Sequence, residues 1–204
     1  VSKFAGSDTS ATNSFGTSVD LDGNIAVVGA LSNDTTGAAY LFNISNPLNP
    51  AQIAKLQPGD LSGGDEFGYS VAIDGNTVVV GARVSDDSAT DAGAVYIFER
   101  NAGGTNNWGQ THKFSGTEFE GYFGASVAID GNFAVFGAPG EDAEMGAAHV
   151  YRFDGENWVF DQELSISGAV GGEEFGADVS ISNGRIIVGA DGTNDSYVYQ
   201  YDGT

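Results

Sequence analysis

Cysteine is absent from the sequence, and its 204 residues include only two histidines and seven lysines or arginines. Without cysteine the chain has no disulfide scaffold, no thiolate zinc site and no cysteine nucleophile. The few basic residues stand against 28 aspartates and glutamates, which gives a formal net charge of −21. Such a chain cannot offer the basic surface that nucleic acids require, so the composition excludes a nucleic-acid partner.

Long apolar runs are missing too, since no stretch approaches the ~18–20 residues that a membrane-spanning helix needs. The sequence therefore predicts no membrane span. Hydrophobic residues still make up 41% of the chain, and this content is typical of a folded protein. The length fits a single domain over residues 1–204. The 31 glycines follow no collagen period, so they indicate many turns.

A repeated pair of dipeptides organises the chain. A Phe-Gly pair recurs at Phe15, Phe67, Phe123 and Phe175. A Gly-Ala pair follows each of these, at Gly29, Gly81, Gly137 and Gly189. Each Gly-Ala pair begins 14 residues after its Phe-Gly pair, while successive copies are 52, 56 and 52 residues apart. A rigid unit of constant length therefore alternates with loops of variable length.

The rigid unit has the pattern of a β-hairpin. In the second copy apolar residues alternate along 67–82, which is the period of strands. The pairs Gly75-Asn76 and Asn183-Gly184 tolerate positive φ at two successive residues, as a type I′ turn demands. Third strands are predicted at 39–42, 94–98, 148–153 and 197–201, and fourth strands at 52–56, 110–114 and 159–164. Four antiparallel strands per repeat are typical of a β-propeller blade.

We therefore expect an all-β fold in which four-stranded antiparallel blades form a propeller. The blades are predicted at 15–56, 67–114 and 123–164, and at 175–204 together with 1–4. Residues 1–4 are included because Phe4 lies 11 residues before Phe15, just as Leu56 lies 11 before Phe67. In that arrangement the N-terminal strand completes the last blade and closes the ring. The alternative is an arc of a larger propeller with an open face at each end.

The run from Phe67 to Ala82, FGYSVAIDGNTVVVGA, resembles the FG-GAP repeat, and so does the run from Phe123 to Pro139. The resemblance implies the propeller of integrin α subunits and of many bacterial surface proteins. It implies a non-enzymatic adhesion, recognition or scaffold role outside the cell or at its surface. Integrin-type copies carry a calcium loop between their first two strands. Here a tight Asp-Gly-Asn turn takes that place, and it cannot surround an ion that takes about 6–8 oxygens.

Acidic residues concentrate in the loops between second and third strands and in the connections between blades. Alternating strands place both sets of loops on one side of the propeller, which we call the acidic loop face. Its predicted acids are Asp8, Asp34, Asp60, Asp65, Glu66, Asp86, Asp87, Asp91, Glu118, Glu120, Glu141, Asp142, Glu144, Glu173, Glu174, Asp191 and Asp195. Such a field attracts cations and basic partners, so we expect a protein or glycan ligand there. The opposing interpretation is a solvated surface that keeps the protein soluble.

Two of these loops are candidate calcium sites, because hard cations take clustered carboxylate and carbonyl oxygens. The candidate ligands are Asp86, Asp87 and Asp91 in one loop and Glu141, Asp142 and Glu144 in the other. Neither loop has a full ligand spacing. No other cofactor is predicted.

Catalytic residues are not predicted. His112 and His149 fall in different blades, and the chain has no Gly-x-Ser-x-Gly nucleophile motif. Trp108 and Trp158 are candidates for stacking on sugars, or for covering the outer edge of a blade. Two other functions stay open: a structural subunit or segment of a larger surface assembly, and a carbohydrate-binding or polysaccharide-active protein.

Overall fold

The computed structural model describes residues 1–201, which form fifteen β-strands and two short helical turns. The strands are β1 (Phe15–Asp22), β2 (Ile25–Ala30), β3 (Ala38–Asn43), β4 (Ala51–Leu56), β5 (Phe67–Asp74), β6 (Thr77–Ala82), β7 (Ala94–Arg100), β8 (Trp108–Ser115), β9 (Ser126–Asp130), β10 (Phe133–Ala138), β11 (Ala147–Phe153), β12 (Trp158–Leu164), β13 (Phe175–Ser182), β14 (Arg185–Ala190) and β15 (Asp195–Gln200). The helical turns are Asn33–Thr35 and Glu141–Glu144. In this described range, no helix has the length and apolar character needed to cross a bilayer.

Consecutive strands pair antiparallel into four sheets, one for each repeat. The sheets are β1–β4, β5–β8, β9–β12 and β13–β15, with their strands side by side in chain order. They form a four-bladed β-propeller, which confirms the predicted fold class. Consecutive apolar residues in the second strands account for this arrangement. Val78 and Val80 are buried on one side of their sheet and Val79 on the other, so each inner blade packs against a neighbour on both sides.

The turns between first and second strands differ from the predicted class in three blades. Gly23, Gly75 and Gly131 have φ values of 54°, 57° and 58°, and the asparagine after each is not in the positive region. Positive φ at the first central residue alone is a type II′ turn. In the last blade both Asn183 (φ 50°) and Gly184 (φ 70°) are positive, as in type I′. The order of the two residues decides the class, because glycine occupies the first position in three turns and the second in the last.

Neighbouring blades bury apolar side chains between them. We call the side of a blade that faces the next repeat its outgoing face, and the side that faces the preceding repeat its incoming face. At the junction of blades one and two, Val27 and Leu41 of the outgoing face pack with Phe67 and Tyr96 of the incoming face, and all four are fully buried. Equivalent clusters fill the junctions of blades two and three and of blades three and four.

Glycines let the blade backbones approach closely at these junctions. A Cβ on Gly29, Gly81 or Gly137 would lie 2.0 Å from the carbonyl oxygen of the next blade's Phe-Gly glycine. No side chain fits at that distance. The Gly-Ala glycines are therefore structural.

The first and last blades each keep an open face. On the incoming face of blade one, Val19 is 66% exposed, while its equivalent Val71 in blade two is 6% exposed. On the outgoing face of blade four, Ile187 and Val198 are 48% and 68% exposed, whereas Val27 at the position of Ile187 is fully buried. Blade four therefore does not cover blade one, and the alternative with two open faces describes the structure.

The prediction that residues 1–4 complete the last blade is wrong for the described chain. The last sheet has three strands, and Val1–Phe4 forms none. Instead the Phe4 ring packs against the rings of Phe15 and Phe42, with centroids 6.3 and 4.7 Å away. Phe4 thus lies on the incoming face of blade one, where Leu56 lies on the incoming face of blade two. Apolar contact with its own blade outweighs pairing with the distant edge of blade four.

Candidate functional site

The loops between second and third strands meet the connections between blades at one end of the propeller. In each of the first three blades, a backbone hydrogen bond joins the loop between second and third strands to the connection that leads to the next blade. These bonds run from Gly64 N to Thr35 O (2.9 Å), from Glu120 N to Thr90 O (2.8 Å) and from Gly172 N to Glu144 O (2.9 Å). The acidic loop face is therefore one continuous surface made of both sets of loops.

A pocket of about 410 Å³ opens on this face where the inner strands of blades two, three and four begin. Its lining combines aromatic and charged side chains: Tyr69, Arg83, Tyr122, Glu144, Glu174 and Asp191. The strands place these residues, because Tyr69 and Tyr122 flank the Phe-Gly pairs while Arg83 and Asp191 directly follow second strands. We call it the axial pocket.

Arg83 is the cation of the axial pocket, and it is held by its neighbours. Its Nε lies 2.7 Å from Oε2 of Glu66, and its Nη1 donates to the Tyr69 hydroxyl at 3.1 Å. The guanidinium carbon also lies 3.9 Å from the centroid of the Tyr69 ring. Glu66 therefore balances the charge of Arg83 inside the chain, and the guanidinium stiffens the wall of the pocket.

Three carboxylates of the axial pocket have no such partner. Glu144, Glu174 and Asp191 are exposed, and none of their side chains enters an ion pair or hydrogen bond within residues 1–201. The pocket therefore combines unbalanced negative charge with the ring of Tyr122, while the ring of Tyr69 already carries the guanidinium of Arg83. Carboxylates beside aromatic faces suit a cation, because both groups attract it.

Lysines tie the acidic loops together in the first two blades. Lys55 contacts Asp8 (2.7 Å) and Asp34 (2.9 Å). In the same way Lys113 contacts Asp60 (2.6 Å) and Asp87 (2.5 Å). In each case one aspartate lies in the segment that precedes the blade's first strand and the other in the blade's loop between second and third strands. Each lysine also lies over a third-strand tyrosine, 5.8 Å from the Tyr40 centroid and 5.0 Å from the Tyr96 centroid.

These clusters shift the titration of their members. Burial by itself raises the pKa of Asp87, but the hydrogen bond and charge of Lys113, together with hydrogen bonds from Ser85 and Ser115, outweigh burial and hold the pKa below its ordinary value. Burial lowers the pKa of Lys113, yet its bonds to Asp60 and Asp87 outweigh this and raise the pKa above its ordinary value. Burial raises the pKa of Tyr96 to about 12. Lys113 and Asp87 are thus both charged at neutral pH.

The first candidate calcium loop is occupied by contacts within the chain. Asp87 bonds to Lys113, so an ammonium group already sits at this carboxylate. Asp86 accepts a hydrogen bond from the backbone N–H of Asp91 through Oδ1, at 2.8 Å. These contacts stabilise the loop from within, which is a role that the sequence pattern did not distinguish from metal binding.

The second candidate loop divides its acids between interior and solvent. Glu141 is buried and lies 2.7 Å from Nε2 of His149, while Asp142 and Glu144 are exposed. Across residues 1–201, no three His, Asp or Glu side chains are arranged so that they could hold a metal ion. Calcium binding at either loop stays a prediction. The contacts that Asp86, Asp87 and Glu141 make within the chain give that prediction no support.

The histidines and tryptophans have packing roles in the described structure. His149 lies edge-on to Phe123, with ring centroids 5.3 Å apart, in the position that tyrosines occupy in the other blades. His112 stacks on Phe114 at 6.1 Å. Trp158 is buried, and Trp108 is partly buried against the core of blades one and two. The tryptophans therefore cover blade cores.

Sequence reasoning missed the axial pocket and the lysine clusters. A signal for the clusters is present, since Lys55 and Lys113 pair across strands with Tyr40 and Tyr96. Two copies of one tyrosine–lysine pairing would have pointed to a repeated contact. The pocket gives no such signal, because its equivalent positions carry different residues in different copies, such as Arg83 and Asp191, or Tyr122 and Glu174.

Comparison with known proteins fits this architecture. The model of the FG-GAP repeat matches residues 1–42, 50–98 and 108–151. No curated protein matches the chain. Among solved structures, the chain is similar to a Trypanosoma rangeli sialidase in complex with the inhibitor DANA, with 14% identity and a TM-score of 0.45. That similarity covers 87% of this chain and 34% of the sialidase chain, so this chain spans about a third of the sialidase's length. From the three matched repeats, the chain belongs to the FG-GAP repeat family.

Proposed function

We propose that the protein is a non-enzymatic binding module that takes a basic partner protein at the acidic loop face. The observation that carries this proposal is the axial pocket, where exposed carboxylates without internal partners stand beside Tyr69 and Tyr122. A lysine or arginine side chain entering it would meet these carboxylates together with the ring of Tyr122. The pocket's volume of about 410 Å³ lies in the usual range for a bound side chain or small ligand.

The charge of the whole chain supports the same partner. A net charge of −21 steers a basic protein toward the molecule and repels an acidic one. The loops that carry the acids are held to one another by Lys55 and Lys113, so the surface is preorganised before binding. We place this binding outside the cell or at its surface, where the sequence resemblance leads us to expect adhesion or recognition.

Titration calorimetry with two peptides of equal length tests the proposal. One peptide carries spaced lysines and the other carries glutamine at those positions. We expect the lysine peptide to bind and the glutamine peptide not to bind. The affinity for the lysine peptide should fall as salt screens the surface charges. Binding of both peptides alike, or of neither, would contradict the proposal. Binding of a neutral glycan in their place would assign the face to the glycan alternative.

Paired variants locate the binding. Glu144→Gln with Glu174→Gln removes two charges from the axial pocket, and we expect the affinity for the lysine peptide to fall by about tenfold or more. The control removes two charges at the other end of the propeller, through Glu99→Gln with Glu156→Gln. Control and native protein should bind alike. An equal loss in both variants would show a diffuse charge effect with no role for the pocket.

A further inference from the structure

The two open faces hold the separated halves of a junction that the chain forms three times internally. At each internal junction a Gly-Ala glycine contacts the Phe-Gly glycine of the next blade. Two glycines have no such partner in the described chain: Gly189 at the outgoing end and Gly16 at the incoming end. A Cβ on Gly189 would be 3.7 Å from its nearest neighbour, and one on Gly16 would meet nothing within 4 Å. The next blade fills the space beside the equivalent glycines at each internal junction. Beside Gly16 and Gly189 that space is open.

A second contact is divided in the same way. Tyr40 pairs across strands with Lys55, and Tyr96 pairs with Lys113. Tyr197 has the equivalent place in blade four, since it pairs with Val188 as Tyr40 pairs with Val28. No fourth strand lies beside it in the described chain, so its lysine is missing. Lys3 lies 12 residues before Phe15, as Lys55 lies 12 residues before Phe67.

The N-terminal segment Val1–Phe4 is the equivalent of a fourth strand. Phe4 packs on the incoming face of blade one as Leu56 of β4 packs on blade two. The family match points the same way. Its second segment begins at residue 50, beside the start of β4, and its third begins at residue 108, where β8 starts. Its first segment begins at residue 1, so residues 1–4 have the place of a fourth strand in the repeat. The segment has the position of a fourth strand but no third strand beside it.

The incoming face also carries an apolar groove of about 610 Å³. Phe4, Val19, Leu21 and Val28 are among its lining residues. In the internal junctions, the equivalents of Val19 and Leu21 are covered by outgoing residues at the positions of Ile187 and Val198. Ile187 and Val198 of an outgoing face thus have the positions that would cover Val19 and Leu21 of an incoming face.

We propose that two copies of this chain associate head to tail, with the outgoing face of blade four of each copy on the incoming face of blade one of the other. The N-terminal segment of each copy then lies beside β15 of its partner as the missing fourth strand. Lys3 of one copy meets Tyr197 of the other, and Gly16 meets Gly189. Two such contacts related by a two-fold axis close a ring of eight blades, which is within the usual range for propellers.

One position makes this junction looser than the internal ones. Gly37, Gly93 and Gly146 each form a parallel bridge with the Phe-Gly phenylalanine of the next blade. Asn194 takes that place in blade four, and its side chain would meet the incoming backbone. The negative charge on both copies opposes association as well. The dimer should therefore be reversible, and it should strengthen as salt screens the charge.

Sedimentation or light scattering over a wide range of protein concentration tests the association. We expect a shift from the 21.0 kDa chain to twice that mass, at lower concentration in higher salt. Gly189→Ala should weaken the association by about tenfold or more, because a methyl group would enter the closest backbone contact. Val170→Ser, at an exposed loop residue away from both open faces, should leave it unchanged. A chain that stays at 21.0 kDa throughout, or an open-ended polymer, would overturn the proposal.

A disulfide locates the contact, because the chain has no cysteine of its own. Leu41 pairs with Ala54 across strands, and the equivalent positions at the open ends are Val198 and Ser2. Opposed strand residues lie within the range that a disulfide spans. We expect Ser2→Cys with Val198→Cys to give a covalent dimer on oxidation, while neither single variant gives this cross-link. A bond formed within one chain would show that the ring closes on itself and would overturn the proposal.

Discussion

The phenylalanine of each Phe-Gly pair meets an aromatic ring on the third strand of its own blade. Phe67 lies 5.3 Å from Tyr96 with the rings at 81°, and Phe123 lies 5.3 Å from His149 at 79°. Edge-to-face geometry of this kind adds to the burial of the rings. His149 therefore takes the place of tyrosine in this series. Its ring nitrogen Nε2 has a polar partner in the buried Glu141, 2.7 Å away.

Removing this ring should cost different amounts in different blades. Phe67 is fully buried in a closed junction, so we expect Phe67→Ala to lower the free energy of unfolding by about 3–5 kcal/mol. Phe15 is only partly buried, because it faces the open side of blade one. Phe15→Ala should cost clearly less. Urea unfolding of both variants gives the comparison, and equal losses would contradict the assignment of an open face.

The lysine clusters give a pH dependence whose sign follows from the pKa of Asp87. Because that pKa is lowered in the folded state, its contribution to stability is present above the ordinary carboxyl range near pH ~4 and is lost as the pH falls below it. Lys113→Met should lower the free energy of unfolding at neutral pH by about 0.2–1 kcal/mol for each ion pair. The difference from the native protein should shrink toward pH ~3.

Lys3→Met, at protein concentrations low enough to keep the chain monomeric, is the control for that measurement, because Lys3 makes no ion pair within the described residues while its loss changes the net charge equally. Its unfolding free energy should follow the native protein at both pH values. A pH-independent loss in Lys113→Met would show that its aliphatic stem, and not its charge, stabilises the loops.

At the scale of the element, each hairpin is bound to the next by one aspartate at its turn. Oδ2 of these residues accepts a hydrogen bond from the backbone of the following turn. The bonds join Asp22 to Gly75 N (2.9 Å), Asp74 to Gly131 N (2.6 Å) and Asp130 to Asn183 N (2.6 Å). The Asp-Gly-Asn turns, which are too short for calcium, therefore hold the inner strands in register with one another.

Breaking one link of this series should destabilise the protein without altering its fold. Asp74→Ala leaves the Gly131 N–H without its carboxylate, and we expect a loss of about 0.5–1.5 kcal/mol in the free energy of unfolding. Ser182 has the equivalent place in blade four, where no described turn follows. Ser182→Ala removes only the exposed hydrogen bond that its hydroxyl accepts from Nδ2 of Asn183 (3.0 Å), so it should cost clearly less than Asp74→Ala. Chemical denaturation of the two variants distinguishes this series from a general effect of turn substitutions.

The sequence predicted these elements well because their signals are local. The 14-residue spacing and the alternation of apolar residues are enough to locate the hairpins and the fold class. The turn class was less accessible, because Gly75-Asn76 and Asn183-Gly184 have the same composition and differ only in order. The path of Val1–Phe4 was predicted wrongly, because the 11-residue spacing to Phe15 fits packing on blade one as well as pairing with blade four.

The candidate site was predicted only in outline. Alternation of strands is sufficient to place the acidic loops on one face. It does not tell which carboxylates a lysine will neutralise, so Asp87 was a candidate metal ligand although it bonds to Lys113. The axial pocket depends on how three blades approach one another, and this distance is set by glycine contacts between residues far apart in the chain.

At the scale of the whole molecule, the blades are held at a fixed separation by backbone contact between glycines. This contact decides how the inner strands meet, and thus where the axial pocket opens on the acidic loop face. A methyl group at Gly81 would lie 2.0 Å from the carbonyl oxygen of Gly124, while one at Gly189 would lie 3.7 Å from its nearest neighbour. The two glycines hold equivalent positions, so they form a matched pair.

The most direct test compares thermal unfolding of Gly81→Ala and Gly189→Ala, at protein concentrations low enough to keep the chain monomeric. We expect Gly81→Ala to lose about 1–3 kcal/mol or more, because the junction of blades two and three must open. We expect Gly189→Ala to unfold like the native protein or up to about 1 kcal/mol more stably, because alanine restricts the unfolded chain. Equal destabilisation of the two variants would contradict the account of glycine-spaced blades with an open face at the end.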